Sequence, residues 1–180
     1  MIAMKDTAKR LLVLQLQWGG IPVEIYHFLG DTEKKMLVEK KGVFFLDEKH
    51  RKTLKVVLTG GVFDIIHIGH LVTLSEAKKR GDILVVAIAK DDAIRKKGRE
   101  PVHIQEYRKI MVESLKPVDA ALAGFENPKA MVDYVKPDVI VYGYDQKEFL
   151  APAGIEIVKL DKSIDDKKFK TGKILSELGL

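Results

Sequence analysis

The stretch LKVVLTGGVFDIIHIGHLVTLSEAKKRG (54–81) joins three unlike pieces. LKVVLT is a continuous apolar run with β-branched residues, the composition of a strand buried on both faces of a sheet. The pair Gly60-Gly61 follows, and GHLVTLSEAKKRG then shows helical spacing and stops at a glycine. A strand that turns on glycines into a helix brings main-chain N–H groups and a helix start to the carboxyl end of the sheet. Both favour an anion there. His67 and His70, two of five histidines, fall three residues apart at that helix start, so their rings can project from the same side. Gly69 between them is expected to leave room for a phosphate or base against the backbone. Two imidazoles in this place are donors suited to charge building on phosphate oxygens, with no covalent intermediate. An H-x-x-H pair is also half of a zinc site, but no third ligand follows at helical spacing, and no protein metal ligand is assigned.

Working outward, the apolar runs DILVVAIA, DAALAG, DVIVYG and IEIVKL repeat the pattern of LKVVLT. Between them, HIQEYRKIMVESLK and NPKAMVDYVKP read as helices, with a proline or glycine near their ends. Five such strands alternating with helices predict a Rossmann-like α/β fold, a doubly wound parallel five-stranded sheet over residues 54–180. Residues 1–50 read differently. DTAKRLLVLQLQW is expected as an amphipathic helix capped by Asp6 or Thr7 and ended by Gly19-Gly20, PVEIYHFLG as a short helix, DTEKKMLVEKKG as a third, and VFFLDE as a strand. Together they predict a small helical, winged-helix-like domain, joined to the larger one through Lys49–Lys52.

Composition narrows the chemistry. The chain has no cysteine, which removes disulfides, thiolate zinc sites and a cysteine nucleophile, and fits a reducing compartment. No apolar run approaches the roughly 18 to 20 residues of a membrane span, and the N-terminus lacks a signal-peptide layout, so a cytoplasmic protein without a membrane partner is expected. A formal charge of +5 on 180 residues suits an anionic ligand but is a weak signal for nucleic acid. One asparagine and four glutamines beside many Lys and Glu point to a thermophilic source.

GVFDIIHIGH (61–70) resembles the G-[TC]-F-D-x-x-H-x-G-H signature of the cytidylyltransferase-like nucleotidyltransferase superfamily. Its branches include archaeal FAD synthase, the adenylyltransferase half of ADP-heptose synthase, phosphopantetheine adenylyltransferase, and the glycerol-3-phosphate and ethanolamine-phosphate cytidylyltransferases. The resemblance runs from about Leu54 to the C-terminus. Val62 departs from it, standing where many members have threonine or cysteine, and removes any hydroxyl contact at that position.

That resemblance implies a set of site residues. Thr59, Gly60, Gly61, Val62, Phe63 and Gly69 form the nucleotide-binding turn, and His67 and His70 are catalytic. RKKGREPVHIQEYRKIMVESLKPVDAALAG (95–124) is similar to a segment of the FAD synthase and ADP-heptose branches. It makes Lys97 the loop lysine that reaches phosphate oxygens and Arg108 a candidate for binding the acceptor phosphate or for a dimer interface. VIVYGYDQ (139–146) resembles the family's fourth-strand exit. There Gly143 lets the nucleotide approach and Asp145 accepts from the base or from acceptor hydroxyls. FKTGKILSEL (169–178) aligns with a Ser/Thr-rich helix start that binds the β and γ phosphates. Thr171 keeps a hydroxyl, while Lys170 and Gly172 replace its flanking hydroxyl residues and the usual upstream arginine is absent.

The implied activity is transfer of a nucleoside monophosphate from ATP or CTP to the phosphate of a small acceptor, releasing pyrophosphate, with Mg²⁺ accompanying the triphosphate and a homodimer as the working state. FMN is the leading acceptor, and a cytidylyltransferase acting on glycerol 3-phosphate or phosphoethanolamine is the alternative. A nucleotide-sensing, DNA-binding regulator is the alternative from another class. Residues 1–53 carry ten Lys or Arg against seven Asp or Glu, too slight a tilt to favour nucleic acid.

Overall fold

The computed structural model describes residues 2–161 except Glu126, Asp145 and Phe149, together with Ile174, Ser176 and Glu177. The chain divides into two compact units, Met1–Lys55 and Val56–Leu180.

The first unit begins with α1 (Ile2–Trp18). Ala8, Leu11, Leu12 and Leu16 are buried at helical spacing, which is the amphipathic stripe read in the sequence. The helix starts at residue 2, so the expected cap at Asp6 or Thr7 does not exist. The Thr7 hydroxyl instead donates to the Ala3 carbonyl inside the helix, 2.8 Å away. Gly19 and Gly20, both at positive φ, end the helix. There follow β1 (Ile21–Pro22), α2 (Val23–Phe28), α3 (Asp31–Lys34), β2 (Leu37–Lys40), β3 (Val43–Leu46) and α4 (Glu48–Arg51).

The third expected helix is confined to α3, because the rest of DTEKKMLVEKKG is an edge of a hairpin. Lys41 (φ 51°) and Gly42 (φ 81°) make a two-residue turn with both residues left-handed, the geometry that matches the twist of paired strands. β2 then pairs antiparallel with β3 from Leu37↔Leu46 to Lys40↔Val43, and β1 completes a three-stranded sheet in the order β1-β3-β2. Met36, Leu37 and Val38 are consecutive, a spacing no single helical face would use. The segment expected to be a linker is α4, capped by the Asp47 carboxylate accepting from the His50 N–H at 2.8 Å.

The second unit holds the remaining elements: β4 (Val56–Gly61), α5 (Ile68–Lys78), β5 (Ile83–Ile88), α6 (Asp92–Arg95), α7 (Gln105–Glu113), β6 (Ala120–Ala123), α8 (Pro128–Val135), β7 (Val139–Tyr142) and β8 (Glu156–Lys159). The five strands expected from the sequence form one sheet, ordered β6-β5-β4-β7-β8, and every neighbouring pair is parallel. Val57, Leu84, Val86, Ile88, Ala121, Val139 and Val141 from one face of the sheet meet Leu74 and Ala77 of α5 and Val112 of α7 in a closed core. α8 belongs to the opposite face, where Met131 and Val132 join Leu58 and Ile140 in the wall of a cavity. Helices on both faces make the sheet doubly wound, as expected. The chain steps outward from β4 to β6 and then crosses to β7, so the switch in direction falls between the ends of β4 and β7. Ligands of open α/β sheets bind at such a point.

Candidate active site

At the switch point the strand ladder gives way to side chains. β4 and β7 are paired at Val57↔Val139 and Leu58↔Ile140. Beyond that pair, the Thr59 hydroxyl donates to the Val141 carbonyl at 2.8 Å. Gln146 closes the gap further out, its Nε2 donating to the Gly60 carbonyl (2.7 Å) and its Oε1 accepting from the Gly143 N–H (2.9 Å). A cavity of about 640 Å³ opens above this seam, within the range of small-ligand sites. Its wall takes in Thr59, Gly60, Gly61 and Val62 from the turn, Lys90, Asp92 and Lys96 beyond β5, Phe125 beyond β6, and Gln146 and Leu150 beyond β7.

The turn itself is shaped by Phe63, a non-glycine residue at φ 53° whose ring is 4 % exposed. A Cβ on Gly61 would sit 2.7 Å from that ring, so glycine is what lets the aromatic fold back beneath the turn. Asp64, next in the chain, is buried, and its carboxylate accepts from the Arg99 guanidinium and from the N–H groups of Val102 (2.9 Å) and His103 (3.1 Å). Burial acts to raise its pKa. The hydrogen bonds from Arg99, His103 and Val102 and the charge of Arg99 outweigh that and hold it below the usual carboxylate range.

His67 is the N-cap residue of α5, and its ring stacks on that of His70 with centroids 3.8 Å apart. A Cβ on Gly69 would lie 3.1 Å from the His67 ring. On the side where a Cβ would stand, Gly69 therefore faces an imidazole. Phe63 backs the pair, its ring centroid 4.9 Å from that of His70. Burial and the neighbouring His67 push His70 down to about 4, against a hydrogen bond with the Ile65 backbone. His70 is thus neutral at pH 7 rather than a cation, and its Nδ1 is buried without a hydrogen-bond partner. Both rings border the turn from the α5 side and are not part of the cavity wall.

The other expected residues separate into three groups. Arg108 has no solvent exposure. Its Nε donates to the His103 carbonyl (2.9 Å), while the two terminal nitrogens engage the Val62 carbonyl, the Ala89 carbonyl (2.8 Å) and the Asp91 carboxylate (2.6 Å). It holds loops together from beneath, rather than facing an acceptor as expected. Lys97 is exposed and lies off the cavity wall, where its neighbour Lys96 and Lys90 stand instead. Asp145, Lys170 and Thr171 lie outside the described residues.

The wall or anchor residues that escaped the sequence reading include Asp64, Lys90, Asp92, Lys96, Phe125 and Gln146. Asp64 carried a signal, a lone carboxylate amid FDII that needs partners if it is buried. The others depend on loops whose course no local pattern encodes.

A family profile described as cytidylyltransferase-like matches residues 58–174. An FAD synthase of Aciduliprofundum boonei is 41 % identical over 132 residues, which cover 68 % of this chain and 89 % of that protein. An FAD synthase of Thermoplasma acidophilum is 50 % identical over 93 residues, 51 % of this chain and 65 % of that protein. Among solved structures, a lipopolysaccharide core biosynthesis protein from Thermoplasma volcanium superposes with a TM-score of 0.57 at 36 % identity, covering 62 % of this chain and 99 % of that one. With the glycine turn, the stacked histidines and the cavity at the β4–β7 switch point, these likenesses lead to one conclusion: the chain belongs to the cytidylyltransferase-like family and is a nucleotidyltransferase.

Proposed function

We propose that the chain is an FMN adenylyltransferase. An oxygen of the FMN phosphate attacks the α-phosphorus of ATP, the bond from that phosphorus to the bridging oxygen breaks, and pyrophosphate leaves in line, giving FAD. The observation that carries this reading is the cavity whose floor is the Thr59–Val62 turn, on a chain 41 % identical over 132 residues to a protein named FAD synthase. The main-chain N–H groups of the turn are assigned to the phosphate oxygens, and His67 and His70, which border the same turn from the α5 side, to the charge that builds there, so the chemistry rests on placement and electrostatics. Lys90 and Lys96 bring positive charge to the wall, with Lys97 beside them on the same loop. Asp145 is assigned to the base or acceptor hydroxyls, and Lys170 and Thr171 to the departing pyrophosphate. Arg108 acts by fixing the loops around Val62, Ala89 and His103.

Among the described residues no three His, Asp or Glu side chains gather into a cation cage. Mg²⁺ is assigned to the triphosphate as part of the substrate, where it would neutralise phosphate charge. Pyrophosphate release with ATP and CTP, each paired with FMN, glycerol 3-phosphate and phosphoethanolamine, tests the assignment. Activity confined to ATP with FMN is expected. A CTP preference with a phosphate alcohol moves the chain to the cytidylyl branch.

Residues 1–50 are read as a winged-helix-like accessory unit, supported by the order α1, β1, α2, α3, β2, β3 and the two-residue wing turn. That same order favours the second reading, DNA contact, whereas a four-residue α3 offers little helix to enter a groove. Salt-dependent DNA binding that disappears on deletion of residues 1–50 would establish it. The homodimer expected of the family is supported by Ile104, Tyr107 and Ile110, an exposed apolar row at the start of α7 and along it, and is tested by light scattering.

A further inference from the structure

We propose that Phe125 is a stacking platform for a flat heteroaromatic ring of a substrate, held in the apolar half of the cavity. This rests on nucleotidyl transfer taking place in the same cavity. The wall divides by chemistry: the glycine turn with Lys90, Asp92 and Lys96 forms a polar part, and Phe125, Pro128, Met131, Val132, Ile140 and Leu150 form an apolar one.

Polar side chains do reach the seam between the halves, but their capacity is turned inward. The Thr59 hydroxyl donates to Val141, both ends of the Gln146 amide are engaged with Gly60 and Gly143, and the Tyr142 hydroxyl donates to the Leu150 carbonyl (2.8 Å) and accepts from the Leu150 N–H (3.0 Å). A polyol acceptor would need those groups for its hydroxyls. A planar ring needs only faces, which the apolar half offers.

Phe125 is 43 % exposed on the cavity wall, and the backbone on either side of it is held. Before it, the Gly124 N–H donates to the Ile88 carbonyl at the end of β5 (2.7 Å). After it, Asn127 caps α8 by accepting from the Lys129 N–H (2.9 Å), and Pro128 opens the helix. The Tyr134 and Phe125 rings are T-shaped, centroids 5.5 Å apart at 72°, an arrangement in which Tyr134 covers at most one face of Phe125. Flavin and adenine share the chemistry this face recognises.

Calorimetric binding of ATP and of FMN, each with Mg²⁺, to the full-length chain and to Phe125→Leu and Phe125→Trp tests the inference without requiring turnover. KM and kcat are measured in parallel. Phe125→Leu keeps apolar bulk and is expected to weaken one of the two ligands at least about tenfold, with kcat changed much less. Phe125→Trp keeps a stacking face and is expected to bind within about threefold of the parent. An effect confined to FMN places flavin on the ring, and one confined to ATP places adenine there. Unchanged binding of both ligands to Phe125→Leu overturns the proposal. So does a tryptophan variant as impaired as the leucine one, or a parent protein that binds neither ligand. A parent that binds both but forms no FAD overturns the FMN adenylyltransferase assignment instead, and leaves the stacking result standing on the binding data.

Discussion

Arg108 and Asp91 form an ion pair of 2.6 Å in which the arginine side chain has no solvent exposure. The same guanidinium binds the carbonyls of Val62, Ala89 and His103, so one side chain ties the turn after β4 to the loop after β5 and to the entry of α7. Removing it strands a carboxylate and three carbonyls. Arg108→Met is expected to lose about 3 to 5 kcal/mol of stability, the scale for breaking a buried pair. Lysine, with no planar fork, should recover only part of this. Urea unfolding of the two variants measures it, and an Arg108→Met protein as stable as the parent would refute the hub role.

His70 lies beside the turn with its ring neutral at pH 7. His70→Ala is expected to lower turnover at least about a hundredfold, the scale for losing one group that stabilises the transition state, with the fold intact by circular dichroism. Near-normal turnover would remove the histidine from the mechanism.

The depressed pKa of His70 also sets a pH dependence. Between the ordinary value of 6.5 and about 4, the unfolded chain takes up a proton at this ring that the folded chain does not. Stability therefore falls as pH drops through that window, by roughly 3 kcal/mol at most for this group. Unfolding free energies from pH 7 to pH 4.5 should fall less steeply in His70→Asn than in the parent.

Gly61→Ala places a methyl group 2.7 Å from the Phe63 ring. The ring must move, and because it backs His70, both packing and catalysis should suffer. A loss of about 1 to 3 kcal/mol is expected for the overpacking, together with a fall in kcat, read by thermal unfolding and single-turnover rates.

Adjacent lysines make a sharper comparison. Lys96 stands on the cavity wall and Lys97 does not. Lys96→Met is expected to raise KM for the nucleoside triphosphate several-fold and Lys97→Met less. The reverse order would mean that the loop carrying them rearranges when nucleotide binds.

Periodicity and glycine placement determined much of this protein. The five apolar runs became five parallel strands because a strand covered on both faces must be apolar throughout, which is a local property of the chain. GVFDIIHIGH located the turn and its histidines for a similar reason, since a strand-to-helix turn needs its glycines in place. The hairpin at Lys41-Gly42 was hidden because MLVEKKG satisfies helix propensity locally, and only the partner strand Val43–Leu46 decides otherwise. Tertiary structure alone decided that the His67 ring stacks on His70 beside Gly69, that Arg108 is a buried tie, and that Lys96 rather than Lys97 faces the cavity. Each of those outcomes depends on which loops meet at the sheet's edge, and burial and partner geometry there arise from segments tens of residues apart.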